Sequence, residues 1–245
     1  MVAQERAKSV YRCAHTQEET RMTMMADVER EIAERHLLTH PFYKAWTDGT
    51  LPKSALLEYA RQYFAFEVRL PRFLTALHAR SEDRATRTAL LSNAWDEEHG
   101  PSNHAELWLR FADALGLSRS EVVDAVPNAS TRALVDAYRD VAERAPVAAG
   151  VAALYAYESQ LPAVSESKIC GLEEHFGFKA DARKSGLSFF HVHSAIDVDH
   201  AAAERSILES ALASGQGDDV LHGVRKALIA WWGFLDAFVP AQAAA

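Results

Sequence analysis

The chain has 245 residues, of which 49% are hydrophobic and 24% are charged, with a formal net charge of −8. This length suits one helical domain with a sizeable core, and the acidic balance argues against nucleic acid, because phosphate binding needs a basic surface. The first residues lack an apolar core of the signal-peptide type, and the most apolar run, residues 228–239, is too short to span a membrane. Two cysteines without CxxC spacing fit a reducing compartment. We therefore predict a cytoplasmic protein without a membrane partner.

The sequence divides into an extension and one domain. Residues 1–22 are polar without sustained periodicity, and we expect a mobile N-terminal extension there. Residues 23–240 show helical periodicity and no alternating strand pattern. This part predicts an all-α, single-domain bundle of about seven or eight helices.

Proline, glycine and capping residues mark the predicted helix boundaries. Pro41 can start a short helix, Pro71 should bend a longer one, and Gly100-Pro101 should break or kink another. The predicted helical segments are, in chain order, 23–37, 41–47, 52–80, 83–115, 118–125, 130–144, 147–174, 180–213 and 220–238.

The strongest functional signal is a stripe on one predicted helix. His193, Asp197 and His200 fall within about 60° of one another on a helix, and two imidazoles with a carboxylate are typical of a transition-metal site. Glu204 continues the stripe and is a candidate acceptor for a ligand histidine. A buried hydrogen-bond network remains an alternative, so further ligands must come from elsewhere.

Two other segments supply such ligands. Glu97 and His104 are two helical turns apart and share a face if the helix continues past the intervening proline. Glu158 lies in an apolar segment, where a carboxylate is costly unless it is paired or bound to metal. A pairing of Glu158 with Arg69 or Arg72 is the alternative.

Together the three segments offer three carboxylates and three imidazoles: Glu97, His104, Glu158, His193, Asp197 and His200. Oxygen and imidazole ligands without thiolate suit iron or manganese better than structural zinc. Six ligands exceed what one metal needs if a position stays open for oxygen, so we predict two metal ions.

This ligand spacing resembles that of the haem-oxygenase-like dimetal oxidases. More narrowly, HPFY at 40–43, WDEEHGPSNHAELW at 95–108 and YAYESQ at 155–160 resemble the CADD-like family of the Chlamydia protein associating with death domains. The resemblance covers residues 25–238 and implies a haem-oxygenase-like fold. The charged segment 66–69 departs from it, because relatives are more apolar and bear a histidine there. Glu67 is either a further pocket carboxylate or a helix-surface charge, and we expect the latter.

The resemblance also implies an activity. Members of this group are similar to self-sacrificing p-aminobenzoate synthases that feed folate synthesis. Carried over by position, the sacrificed tyrosine is Tyr43, the amino donor is Lys168, and Tyr59 and Tyr157 are radical relays. The implied cofactors are two metal ions, Fe2+ or an iron–manganese pair, with dioxygen and an external reductant.

The residues alone support these roles unequally. Tyr43 lies in an aromatic segment, and the alternative interpretation is a core tyrosine whose hydroxyl is hydrogen-bonded. Lys168 follows Glu158 by ten residues on the same predicted helix and, without the resemblance, reads as a surface lysine. Tyr157 adjoins Glu158 and should line the pocket.

Two other functions stay open. One is an oxygenase of the same fold that acts on a diffusible substrate by N-oxygenation, decarboxylation or quinone-cofactor oxidation, since fold does not fix function. The other is a non-catalytic interaction protein, which would leave the ligand set unexplained. The oligomeric state is open, with a homodimer among the options.

Overall fold

The computed structural model describes residues 22–179 and 186–239. Residues 1–21, which hold all but the last residue of the predicted N-terminal extension, lie outside these ranges, and Met22 belongs to the first helix. Helix α1 spans residues 22–34 and is followed by a 3-10 turn, Leu37–Thr39. The later helices are α2 Pro41–Thr47, α3 Lys53–Glu67, α4 Leu70–Arg80, α5 Arg84–Glu98, α6 His104–Leu115, α7 Arg119–Val123, α8 Ala129–Glu143, α9 Val147–Glu158, α10 Leu161–His175, α11 Ser188–Ala213 and α12 Gly217–Asp236.

The predicted all-α architecture is confirmed, since the described residues contain no strand. The described residues form twelve helices, more than the predicted seven or eight, and three of the nine predicted segments are each divided in two. Pro71 and Pro162 lie at the starts of α4 and α10. Proline is tolerated there because the N–H group it lacks would have no partner within the first turn of a helix. Gly100, with φ +78°, lies between α5 and α6.

Local signals set several helix ends as predicted. The Asp83 side chain accepts a hydrogen bond from the Thr86 N–H at the start of α5, and Asn103 does the same for Glu106 in α6. Such caps satisfy N–H groups that have no partner within the helix. Helix α6 ends at Gly116, whose φ of +91° is the left-handed conformation that glycine adopts without strain.

Helix α9 forms the centre of the bundle. All of its residues from 148 to 158 are buried, and it packs against α8, α11 and α12. The contact with α12 is close: a Cβ on Gly223 would lie 2.0 Å from the Ala149 carbonyl oxygen. The residue at 223 must therefore be glycine for α12 to approach α9 in this way. Because α9 is enclosed, Tyr157 and Glu158 at its C-terminal end are deep in the core.

Within residues 22–179 and 186–239, no helix combines the length and the hydropathy that crossing a membrane requires.

Candidate metal centre and the tyrosine–lysine cluster

Two groups of buried acidic and histidine side chains lie inside the bundle. The first, which we call the α3–α6 group, consists of Glu67, His104 and His193; the second, the α9 group, consists of Glu158, Asp197 and His200. Within each group, one ligand atom from every member lies within 4.8 Å of the others. All six side chains are buried.

The predicted stripe on α11 serves both groups. His193 faces α3 and α6 and joins the first group, whereas Asp197 and His200 face α9 and join the second. The one-face prediction therefore describes α11 correctly, and the neighbouring helices decide how its three side chains are divided.

Glu97 lies between the two groups. Its Oε2 atom is 2.8 Å from the Nδ1 of His104. Burial raises the pKa of the Glu97 carboxyl, and the negative charge of Asp197 raises it further. The pair comes together although α5 ends at Glu98 and α6 begins at His104. The helix breaks at Gly100-Pro101, one of the two predicted outcomes, and the break rather than a continuous helix face brings Glu97 to His104.

Many polar atoms of these residues have no hydrogen-bond partner among the described residues. They are Oε1 and Oε2 of Glu67, Oε1 of Glu158, Oδ2 of Asp197 and Nδ1 of His200, and the close pair formed by Oε2 of Glu97 and Nδ1 of His104 lacks hydrogen-bond geometry. Buried polar groups are normally satisfied, and an exception calls for an explanation such as a bound ion. Carboxylate oxygens and imidazole nitrogens that converge without partners fit metal ions, and the donor set suits iron or manganese.

Burial also disfavours the charged forms of these residues in the protein alone. It raises the pKa of Glu67 to about 8, with a further contribution from Glu97. The pKa of Glu158 is likewise raised to about 8 by burial and then by Asp197, and that of His193 is lowered well below its usual value by burial and then by His104. A bound cation would oppose the effect on the carboxyls, because it stabilises their negative form.

Outer hydrogen bonds orient several donors. The Phe189 carbonyl lies 2.9 Å from Nδ1 of His193 and leaves Nε2 of that ring free to bind a metal. Asp96 lies 3.1 Å from Nε2 of His200, and Asn93 donates to Oε2 of Glu158 at 2.9 Å. Such partners fix the ring orientation of ligand histidines. Asp96, and not Glu204 as predicted, is the acceptor for His200.

A second cluster, the tyrosine–lysine cluster, lies beside the α3–α6 group. The Lys168 side chain is 3% exposed, and its Nζ donates to the Tyr59 hydroxyl at 2.9 Å. Nζ is also within 5.5 Å of the ring centroids of Tyr43, Tyr63 and Phe190. Burial lowers the pKa of Lys168 to about 7. The amine is therefore substantially neutral near pH 7.

The tyrosine hydroxyls form two pairs within this cluster. Tyr43 and Tyr59 are hydrogen-bonded to each other, and the hydroxyls of Tyr63 and Tyr157 are 2.6 Å apart. The structure therefore brings Tyr43, Tyr59 and Lys168 together directly. It places Tyr157 in a neighbouring pair with Tyr63.

Three expectations from the sequence are wrong. Glu67 is 1% exposed and belongs to the α3–α6 group, whereas a helix-surface charge was expected. Glu204 faces the Glu158 carboxyl and no histidine. Lys168 does not share a helix with Glu158, because the chain turns between α9 and α10, and it is buried rather than exposed.

Sequence reasoning missed one functional candidate on α3, Tyr63. Tyr59, Tyr63 and Glu67 recur every four residues and lie on one face of that helix. This spacing is visible in the sequence, but it looks like the inner face of any helix until the fold places the Tyr63 ring beside Tyr157 and Phe189.

Comparison with known proteins agrees with this geometry. The profile of the family described as iron-containing redox enzymes matches residues 57–232. The chain is 38% identical to a 4-aminobenzoate synthase from Chlamydia muridarum, over 90% of this chain and 92% of that protein. It is 39% identical to a 4-aminobenzoate synthase from Nitrosomonas europaea, over 87% and 90% of the two chains.

A solved structure supports the fold independently. A domain of unknown function with a heme oxygenase-like fold from Shewanella denitrificans superimposes with a TM-score of 0.73 at 16% identity, covering 89% of this chain and 90% of that one. The resemblance inferred from the ligand spacing is confirmed at the level of the family. The chain belongs to the iron-containing redox enzymes, with a haem-oxygenase-like fold, and is an oxidoreductase.

Proposed function

We propose that the chain makes 4-aminobenzoate for folate synthesis from its own Tyr43, with Lys168 as the amino donor. In this proposal two metal ions, iron or an iron–manganese pair, are held by Glu97, His104, Glu158, His193, Asp197 and His200, with Glu67 as an additional ligand. Dioxygen is the oxidant, and an external reductant supplies electrons. The chain acts once, because it consumes its own side chain.

The burial and contacts of Lys168 carry the proposal. A lysine side chain is rarely buried without an acidic partner, yet the Lys168 amine contacts a hydroxyl and aromatic rings. Stability alone does not account for this arrangement. A neutral amine held beside a tyrosine ring is what transfer of nitrogen to that ring requires.

Each residue of the tyrosine–lysine cluster has a role in this proposal. Tyr59 positions the Lys168 amine and contacts Tyr43, and the Phe190 ring beside Nζ excludes water. The pKa of Lys168, lowered to about 7 by burial, makes its nitrogen a nucleophile at neutral pH. When bound, the metal ions supply the activation of dioxygen.

Tyr59 and Tyr157 act as relays between Tyr43 and the metal centre. A tyrosine that loses an electron also loses its hydroxyl proton, which needs an acceptor nearby. The Tyr63 hydroxyl, 2.6 Å from that of Tyr157, accepts this proton while it releases its own, and the Glu67 carboxylate, which interacts with Tyr63, is the base that receives it. Tyr63 thus extends the relay that the sequence resemblance implied.

Isotope labelling tests the proposal. Protein produced with ring-labelled tyrosine, loaded with iron or with iron and manganese, is exposed to dioxygen and a reductant. We expect labelled 4-aminobenzoate in the filtrate and a matching loss of mass at Tyr43 in the peptide map. Lys168→Arg should abolish the product, whereas Lys44→Arg, an exposed lysine next to Tyr43, should keep it.

A different result would identify another substrate. If the protein binds metal and consumes dioxygen without releasing labelled product, self-sacrifice is excluded and the substrate is diffusible. If the label appears while Tyr43 stays intact, another tyrosine is the source.

A further inference from the structure

A cavity of about 230 Å³ lies between α5 and α11, next to the α9 group. Its lining includes Asn93, Asp96, Asp199, His200 and Glu204. Asp96 and Asp199 are exposed at its outer end, whereas His200 and Glu204 are buried at its inner wall. Polar side chains thus follow the cavity from the protein surface to the α9 group.

Glu204 is the unexplained residue of this cavity. It is 3% exposed, and neither of its carboxyl oxygens accepts a hydrogen bond from a described donor. Its carboxyl group faces that of Glu158. Two buried carboxyls side by side are costly unless they share a proton or bind a cation. Glu204 is not needed for the three-residue α9 group, so its position calls for a separate role.

We propose that this cavity is the route by which a divalent cation reaches the α9 group, and that Glu204 is the carboxylate that first binds the ion inside the protein. This inference rests on the metal centre proposed above. The acidic side chains at the mouth, Asp96 and Asp199, attract the hydrated ion. Oxygen atoms of Glu204 then replace part of its water shell before Glu158 takes over the ion.

The α3–α6 group borders a different cavity. That cavity has a volume of about 320 Å³, and its lining includes Glu67, Pro71, Glu97, Glu98 and Asn103. The two donor groups therefore meet the surface on different sides. We expect the two metal ions to enter independently, and a change at Glu204 to affect only one of them.

Cobalt uptake by the metal-free full-length protein tests the route. Co2+ bound to oxygen and imidazole ligands absorbs visible light, so stopped-flow absorbance follows its binding. We expect two phases and two ions per chain at equilibrium for the unmodified protein. Glu204→Gln should slow one phase by about tenfold or more, an effect of the size that outer ligand partners produce, and should leave the final stoichiometry at two.

Matched variants separate the route from a folding defect. Asp199→Asn changes an exposed residue at the mouth and should slow the same phase by about threefold at low salt and less at high salt. Glu204→Asp keeps a carboxylate and should restore part of the rate. Glu98→Gln, at the other cavity, should leave the Glu204-dependent phase at its original rate.

Several results would overturn the inference. Uptake at an unchanged rate in Glu204→Gln excludes the route. Loss of one ion at equilibrium in that variant makes Glu204 a permanent ligand instead. Slower dioxygen consumption by the loaded variant with normal cobalt uptake would assign the cavity to dioxygen. If the unmodified protein binds no Co2+, the metal centre itself is refuted, which is a distinct outcome.

Discussion

The α3–α6 group and the α9 group use similar ligands in different surroundings. The first has one carboxylate and two imidazoles and lies among aromatic rings: the His193 ring is 4.1 Å from that of Phe189, which in turn contacts Tyr63. The second has two carboxylates and one imidazole and lies among polar groups, with Asn93, Asp96 and Glu204 around it. The first group thus faces the tyrosine–lysine cluster, and the second faces the cavity lined by Asn93, Asp96 and Glu204. In the proposed function, oxidation of Tyr43 belongs to the aromatic side, whereas each group has its own cavity toward solvent.

Removing the residue between the two groups should have the largest effect. Glu97→Ala deletes a carboxylate that contacts His104 and lies near Asp197. We expect loss of at least one of two bound ions and a decrease in 4-aminobenzoate of about 100-fold or more, above the effect of outer ligand partners. Elemental analysis and product assay check this, with Glu173→Ala, an exposed glutamate, as control. Full product from Glu97→Ala would exclude a shared centre.

A smaller effect should be confined to the α9 group. Asp96→Asn removes the charge of the carboxylate beside Nε2 of His200. We expect affinity for one of the two ions to fall by about 10–100-fold, with the other unchanged. Competition with a chelator measures both affinities. Asp199→Asn, in the same cavity but with no hydrogen bond between the Asp199 carboxylate and the His200 ring, should slow uptake without this loss of affinity. Equal weakening of both ions would contradict the division into two groups.

On the aromatic side, the relay can be tested at Tyr63. Tyr63→Phe removes the hydroxyl that bonds to Tyr157. We expect about tenfold less product with normal metal content, which is less than the roughly 100-fold or more contributed by a group that transfers a proton at the reacting atom itself. Tyr138→Phe is the control for stability, since it loses a buried hydrogen bond to the Ala153 carbonyl and one from the Trp231 N–H, and should cost about 1–3 kcal/mol. An equal loss of product in both variants would indicate a structural cause.

The smallest effect concerns stability and pH. Burial lowers the pKa of Lys168 to about 7 in the folded protein, from 10.5. Between these values Lys168 of the unfolded chain binds more protons, so the contribution of this residue to the free energy of unfolding of the metal-free protein should rise with pH, by up to about 1.4 kcal/mol per pH unit. Up to about pH 8 the buried Glu67 and Glu158 carboxyls act in the opposite direction, because burial raises their pKa values in the folded protein. The slope vanishes below the folded pKa.

Lys168→Met lacks this contribution. Urea unfolding of both proteins between about pH 6 and pH 10 should show the difference in stability shifting toward the unmodified protein as pH rises. Lys44→Arg should parallel the unmodified protein. A constant difference across this range would mean that the Lys168 amine stays charged in the fold.

Sequence periodicity predicted the fold class and the stripe on α11, because both depend on spacing within one helix. The proximity of Glu97 to His104 across a helix break, and the burial of Glu67, depend on how helices pack, which spacing does not specify. Pro162 illustrates the same limit, since a proline that starts a new helix and one that bends an existing helix look alike in sequence. Lys168 could be identified only through family resemblance, since a lone lysine carries no sign of burial.

The position of Tyr43 has a consequence for the life of the molecule. This residue is 4% exposed and its ring packs against those of Phe42 and Trp46. On the proposed chemistry the ring leaves the core, and removal of a buried aromatic side chain typically costs about 3–5 kcal/mol. That loss is a large share of the 5–15 kcal/mol that holds a typical domain folded. A spent chain would then unfold more often than a fresh one, and proteases that act on unfolded chains would clear it first. Synthesis of the vitamin precursor and disposal of the used protein would thus be coupled through a single side chain.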